Sequence, residues 1–355
     1  MIRESNSIDD DDLATLSRAR MDPTRSKSIK ALTRKLLTAL AQPVQSDAAV
    51  GGLRADPRSH NGPPAMDLPA SVTDLGEQLR GDGEIVPASA LFSDPQVFAA
   101  ERERIFQRSV MALDHETRLS EDGRWFRCDA AARSIVVTRE AGGRLNALRN
   151  VCIHAGYPVC EAEEGSAERL MCLYHGWEYA LDGRLVEPEL SSRIDPARLR
   201  LASYPVRVCN GLIFADPPGA TAAEVNFVPA WLTAATVMRR ARYNTNWNWK
   251  YLRHFLQSSP HLFFDGLPDD CQELGPLDLL FAQSRRAVLL RVIPKFAEQT
   301  DFQVIEMMAG ENRRSPEPET GSDPLAERLG AAGTSFSWFD RNIAQWYWSL
   351  MSEEV

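Results

Sequence analysis

Two short clusters of metal-donor side chains constrain this chain more than any other feature. Cys152-Ile153-His154 is followed, after 17 residues, by Cys172-Leu173-Tyr174-His175. β-type runs flank both clusters: SIVVTRE and LNALRNVCI lead into the first, and RLMCLYHGWEYAL surrounds the second. Each half supplies one thiolate and one imidazole. Loops at the tips of two β-hairpins can approach a binuclear iron–sulfur cluster from opposite sides, with thiolates on one iron and imidazoles on the other. Exchanging two thiolates for two imidazoles removes negative charge and raises the cluster potential. Gly156 and Gly176, beside the donors, let the loops turn sharply. A zinc site of two Cys and two His uses the same donors. Such sites more often pair Cys with Cys and His with His at short spacings.

Bulk properties set the frame. The chain has 355 residues, enough for one large or two medium domains. Apolar residues make up 44% and charged residues 25%, an ordinary globular balance that allows a sizeable core. A net charge of −9 argues against non-specific nucleic-acid binding. Six cysteines are too sparse for a disulfide scaffold. Cys128, Cys160, Cys209 and Cys271 read as small buried hydrophobes. No stretch reaches the roughly 18 apolar residues of a membrane span, and MIRESNSIDDDD has no apolar signal core. A cytoplasmic location is expected.

Three regions succeed one another along the chain. Residues 1–80 hold an acidic run at 9–12 and a Gly-, Pro- and Ser-rich stretch, and read as a largely disordered extension. SIKALTRKLLTAL, at 28–40, is an amphipathic helix within it, suited to docking on its own protein, a partner or a membrane surface. Residues 81–220 read as a small all-β domain with a leading helix, opened by Ser93-Asp94-Pro95. Residues 221–355 mix strand runs (RRAVLLRVIPKF, TDFQVIEMM) with helices at 246–259 and near the end, an α+β pattern. Trp247, Trp249, Phe255 and Trp346 there suit a core, an interface or an apolar pocket alike.

The segment CIH…CLYHGWEYALDGRL resembles the Rieske domain of Rieske non-heme iron oxygenases, the ring-hydroxylating α-subunit family. Asn150-Val151-Cys152, His175-Gly176-Trp177 and Asp182-Gly183 fit that pattern, and the likeness runs over about residues 85–355. It implies a Rieske [2Fe-2S] cluster on Cys152, His154, Cys172 and His175. It also implies an α+β fold: an all-β Rieske domain set before or within a helix-grip-like catalytic domain with a curved antiparallel sheet. Leu173 and Tyr174 stand where respiratory Rieske proteins carry a disulfide-forming Cys, which points to the lower-potential, oxygenase-type cluster. Ala155 replaces the family's usual Arg.

The resemblance also implies a mononuclear Fe(II) held by two His and one carboxylate, with open positions for O₂. Anchored on Asn248-Trp249-Lys250, His261 takes the first His position, but Gly266 takes the second. Ser258 replaces the bridging acidic residue, and Phe255 the usual Asn. Glu354 falls at the carboxylate position, one residue before the chain stops and short of the family's helical continuation. His254 and His261 are about 10.5 Å apart along a continuous helix, too far to share one metal. His261, Asp265 and Glu354 form a conceivable one-His site, which would hold Fe(II) more weakly.

Three functions remain open. One is an oxygenase α-subunit that takes electrons from a ferredoxin or flavin reductase and passes them within a homotrimer. Another is a non-catalytic α-like subunit in a mixed ring with an intact oxygenase α-subunit. The third is a Rieske electron carrier with a vestigial domain.

Overall fold

The computed structural model describes residues 67–130, 133–186, 199–217, 228–258, 271–310 and 338–352. The amphipathic segment at 28–40 lies outside them. The fold is α+β, as the resemblance implied. Among the described residues no helix is long and apolar enough to cross a membrane.

Among the described residues three helices precede the first strand: α1 (Ala70–Arg80), α2 (Ala90–Ser93) and α3 (Pro95–Glu101), the last continuing into a π-helical turn at Arg102–Phe106. Asp94 starts α3 as expected: its side chain accepts from Gln96 N at 2.7 Å, and Pro95 occupies the first turn. Helix α1 falls within the stretch read as an extension. Its Val72 and Leu75 are fully buried, and at Gly76 the ring of Trp348 leaves no room for a Cβ. That docking is tertiary, so the surrounding Gly- and Pro-rich composition concealed it.

The part that carries the candidate donors holds β1 (Met111–His115), β2 (Arg124–Ala130), β3 (Arg133–Arg139), β4 (Leu145–Arg149), β5 (Glu164–Ser166), β6 (Arg169–Met171), β7 (Glu178–Ala180), β8 (Ser203–Tyr204), β9 (Val206–Cys209) and β10 (Leu212–Ala215). They pair antiparallel as sheets β1-β10-β9 and β5-β2-β3-β4-β8 and a β6-β7 hairpin. A second five-stranded antiparallel sheet comes next: β11 (Ala235–Thr245), β12 (Gln272–Gly275), β13 (Asp278–Gln283), β14 (Arg286–Phe296) and β15 (Gln299–Ala309), ordered β11-β15-β14-β13-β12. Strand β14 is buried almost throughout, because both of its faces are covered. Helices α4 (Trp249–Ser258) and α5 (Arg341–Ser352) pack with the leading helices around one aromatic core.

That core encloses a charge. Glu101, only 1% exposed, accepts from Lys250 Nζ (2.5 Å), Trp249 Nε1 (2.7 Å) and Tyr347 OH (2.8 Å). Lys250 is itself buried over the ring of Tyr347. Helices α3, α4 and α5 thus meet on one carboxylate. A buried charge is tolerated only when paired and hydrogen-bonded.

This sheet meets both of the earlier sheets across a charged seam. Arg240 and Arg242 are two apart on β11 and leave the same face. Arg240 reaches Asp114 at 2.9 Å, and Arg242 reaches Asp129 at 2.8 Å and Asp301 at 2.7 Å. Asp114 also takes Arg118 at 2.7 Å. Burial would raise its carboxyl, but Arg240 and Arg118 outweigh burial and hold it below the usual range. Arg291 donates to the carbonyls of Ala112 (2.5 Å) and Asp129 (2.9 Å).

Asp278, which accepts from Ala112 N at 2.9 Å, behaves differently: burial pushes its carboxyl up to about 6, against the pull of Arg291. Folding therefore favours the protonated form, and this contribution is lost as pH rises from 3.8 through about 6. Asp278→Asn stays neutral. Its melting temperature relative to the parent should move in its favour by a few degrees between pH 4 and pH 7.5. A difference that does not change with pH would contradict the assignment. Glu101→Gln should cost about 3 kcal/mol in denaturant unfolding, because Lys250 is left buried without a counter-charge.

Candidate metal centre

The two donor loops are built alike. In the first, Cys152 N donates to Tyr157 O (2.7 Å) and Gly156 N to Cys152 O (3.0 Å). In the second, Cys172 N donates to Trp177 O (2.9 Å) and Gly176 N to Cys172 O (2.8 Å). Each turn closes on a glycine, with φ +79° at Gly156 and +71° at Gly176. Glycine adopts that conformation without strain. Nothing lies within 4 Å of a Cβ at either position, so backbone conformation and not space is what favours glycine there. Hairpin β6-β7 carries the second loop, and β4 runs directly into the first.

These turns bring all four expected donors together. Cys152 and Cys172 are buried, and His175 is 8% exposed. The His154 and His175 rings lie 4.6 Å apart. His154 stacks flat on Trp177, with centroids 4.4 Å apart and planes at 4°. Both ring nitrogens of His154 are buried with no hydrogen-bond partner. Such orphaned atoms are costly in a protein interior unless something absent from the protein chain satisfies them, and an iron ligand role does so for one of the two. Burial, with a contribution from His175, pushes His154 down to about 4, which keeps it as the neutral, ligating imidazole. Burial pushes the Cys152 thiol up, so metal binding would supply the drive for its deprotonation.

The donor set fits a two-iron cluster, which Cys152, His154, Cys172 and His175 would hold together. A zinc site brings all four donors onto one ion. Among the described residues no three His, Cys, Asp or Glu side chains are grouped as a single metal ion requires.

Supporting residues were less legible. Tyr179 OH lies 3.0 Å from Cys152 Sγ and accepts from Ile153 N at 3.2 Å. Asn150 clamps the first loop: its Oδ1 accepts from Val159 N (2.9 Å) and Cys160 N (2.8 Å), and its Nδ2 donates to Cys160 O (2.8 Å). Tyr157 and Tyr174 stack at 3.7 Å and bridge the two loops. Both tyrosines are half-exposed, and Leu173 beside them is exposed.

The expected mononuclear iron site falls largely on residues that are not described. His261, Asp265, Gly266 and Glu354 lie outside the described residues. Asn248 caps α4 by accepting from Lys250 N (3.0 Å), and its Nδ2 donates to Phe92 O (2.8 Å) and Ala297 O (2.6 Å). With Trp249 and Lys250 engaged at Glu101, the Asn-Trp-Lys run is structural. Ser258 Oγ lies 2.9 Å and 3.2 Å from the carbonyls of His254 and Phe255, turned back on its own helix. His254 stacks on Trp338 at 5.3 Å.

A hydrogen bond to a cluster sulfur stabilises the reduced, more negative state and raises the potential. Tyr179→Phe removes one worth about 1 kcal/mol, roughly 40 mV for one electron. Redox titration of the loaded protein should show a fall of that order. An unchanged potential would sever Tyr179 from the cluster.

Comparison with known proteins agrees with this geometry. The sequence profile of the Rieske [2Fe-2S] domain matches residues 109–205. The α subunit of N,N-dimethyl phenylurea N-demethylase from Sphingobium sp. is 32% identical over 178 residues, covering 47% of this chain and 39% of that protein. The α subunit of benzene 1,2-dioxygenase from Pseudomonas putida is 31% identical over 135 residues, covering 36% and 29%. The matched region thus spans well under half the length of these curated relatives. The apo form of the quaternary ammonium Rieske monooxygenase CntA shares the fold, with a TM-score of 0.54 at 17% identity over 76% of this chain and 86% of that one. The chain carries a Rieske [2Fe-2S] domain at residues 109–205 and, over less than half of its length, is similar in sequence to oxygenase α subunits.

Proposed function

We propose that this chain is the cluster-bearing α-type subunit of a cytoplasmic oxygenase system. It takes electrons singly from a ferredoxin or flavin reductase. It passes them toward a mononuclear iron at which O₂ is activated and an organic substrate oxidised. The observation that carries this reading is the convergence of Cys152, His154, Cys172 and His175 on two matched turns. The bound cluster supplies one-electron storage. Trp177 fixes the plane of the His154 ring, and Tyr179 sets the charge balance at Cys152. Tyr157, Leu173 and Tyr174 form an apolar tip that sheds water when another subunit docks over His175.

One observation favours a second reading, in which the receiving iron belongs to an intact α subunit in a mixed ring. Ser258 stands where the resemblance puts the bridging carboxylate, and its hydroxyl is occupied by its own helix. This chain would then donate electrons without receiving them. In the first reading the ring is a homotrimer, and His261, Asp265 and Glu354 hold the iron.

Iron and sulfide counting on anaerobically purified, dialysed protein tests both, together with EPR. Two irons per chain with a Rieske-type signal are expected for a cluster-only subunit. A third iron retained through dialysis would sink the mixed-ring reading. Absence of the signal from reduced protein that holds iron would sink the proposal as a whole.

A further inference from the structure

An unbroken run of aromatic rings passes through the donor site. Trp177 stacks on His154 at 4.4 Å, and His154 meets His175 edge-on at 4.6 Å. His175 meets Tyr174 edge-on at 4.0 Å, and Tyr174 stacks on Tyr157 at 3.7 Å. Both imidazoles therefore lie inside the run, and neither ends it. The two ends come from opposite loops. Trp177 follows the second donor pair, yet it covers the histidine of the first. Tyr157 belongs to the first loop, where its carbonyl accepts from Cys152 N at 2.7 Å, yet its ring backs Tyr174 of the second. Each loop thus braces the histidine of the other.

The bracing differs in kind at the two ends. Trp177 packs against the apolar cluster that also holds Cys152 and Cys172, so its ring is fixed from below. Tyr174 is 43% exposed and Tyr157 46%, while His175 beside Tyr174 is only 8% exposed. A half-exposed side chain ordinarily keeps rotamer freedom, and a stacked partner takes that freedom away. The planes of Tyr157 and Tyr174 lie within 20° of each other, and Tyr174 presents itself to His175 at 61°. The matched turns fix the main chain of both loops, whereas these rings fix the direction in which the imidazoles face.

We propose that Tyr157 is a positioning residue for His175, acting through Tyr174, and that its stack governs how firmly iron is retained at the imidazole side of the site. The proposal rests on the reading of Cys152, His154, Cys172 and His175 as cluster ligands. A Rieske centre binds one of its irons through two imidazoles. Groups that orient a ligand ring tune the affinity of the metal behind it. A His175 ring that turns away leaves that iron with one imidazole, and the iron is then the first to be lost.

Iron release from anaerobic, dithionite-reduced, full-length protein to the ferrous chelator bathophenanthroline disulfonate tests this, with the EPR spectrum of the same sample. Tyr157 is half-exposed and its contact to Cys152 N is made by its main chain, so substitution spares the fold. Tyr157→Leu should release iron about three- to tenfold faster, the range an aromatic pair is worth, and broaden the Rieske-type signal. Tyr157→Phe keeps the stack and should restore the parental rate and line shape. In a Tyr174→Leu background, Tyr157→Leu should add nothing, because its effect passes through that ring. A parental release rate in Tyr157→Leu, or additive effects in the double variant, would overturn the proposal. A parent protein without the Rieske-type signal would overturn the ligand reading and this proposal with it.

Discussion

Asp114 has no access to solvent, and much of the molecule is arranged around that fact. Its charge survives because guanidiniums from two places converge on it: Arg118 just beyond its own strand and Arg240 from the second sheet. Arg242, two residues on, repeats the device at Asp129. Alternate residues of one strand therefore lock the cluster-bearing sheets to the second sheet at two points. Arg291 adds hydrogen bonds to backbone carbonyls at the same seam. Such pairs gain little over apolar packing, but removing one partner strands a buried charge at a large cost. They define one relative placement of the two sheets, and slipping β11 by one residue would turn both arginines away.

The donor loops illustrate how little chain is needed to build a metal centre once the scaffold is stiff. Two short turns with the same hydrogen-bond pattern, each ending on a left-handed glycine, direct a thiol and an imidazole to one place. The spacing differs, since His154 follows its Cys by two residues and His175 follows by three. The repeated turn absorbs that difference. Packing then refines the centre: Trp177 orients one ring, Tyr157 and Tyr174 pin the loops to each other, and Asn150 anchors the approach.

The run Asn248-Trp249-Lys250 leads into the helix where the resemblance implies an iron ligand set. Its three side chains are spent on structure, capping α4 and surrounding Glu101. They place the helix and leave any metal chemistry to residues beyond its C-terminus. Ser258, the last residue of that helix, points its hydroxyl at its own backbone. The helix is thus well positioned by buried charge, while its final turn presents no carboxylate.

The four candidate donors, the glycines beside them and most of the strands were legible in the order of residues alone. Those features are local: a donor pair, a turn glycine or an alternating run has the same meaning whatever lies around it. The start of α3 at Asp94 was legible for the same reason. The surroundings of the donors and the joints between the sheets became visible only in the folded chain. Tyr179 reaches Cys152 across 27 residues, Arg240 reaches Asp114 across 126, and Glu101 gathers Lys250 and Tyr347 across 149 and 246. Helix α1 was hidden because its order comes from packing against α5 and not from its own composition. Hydrogen bonds and ion pairs between distant residues depend on where the chain returns to, and no local pattern of residues encodes that return.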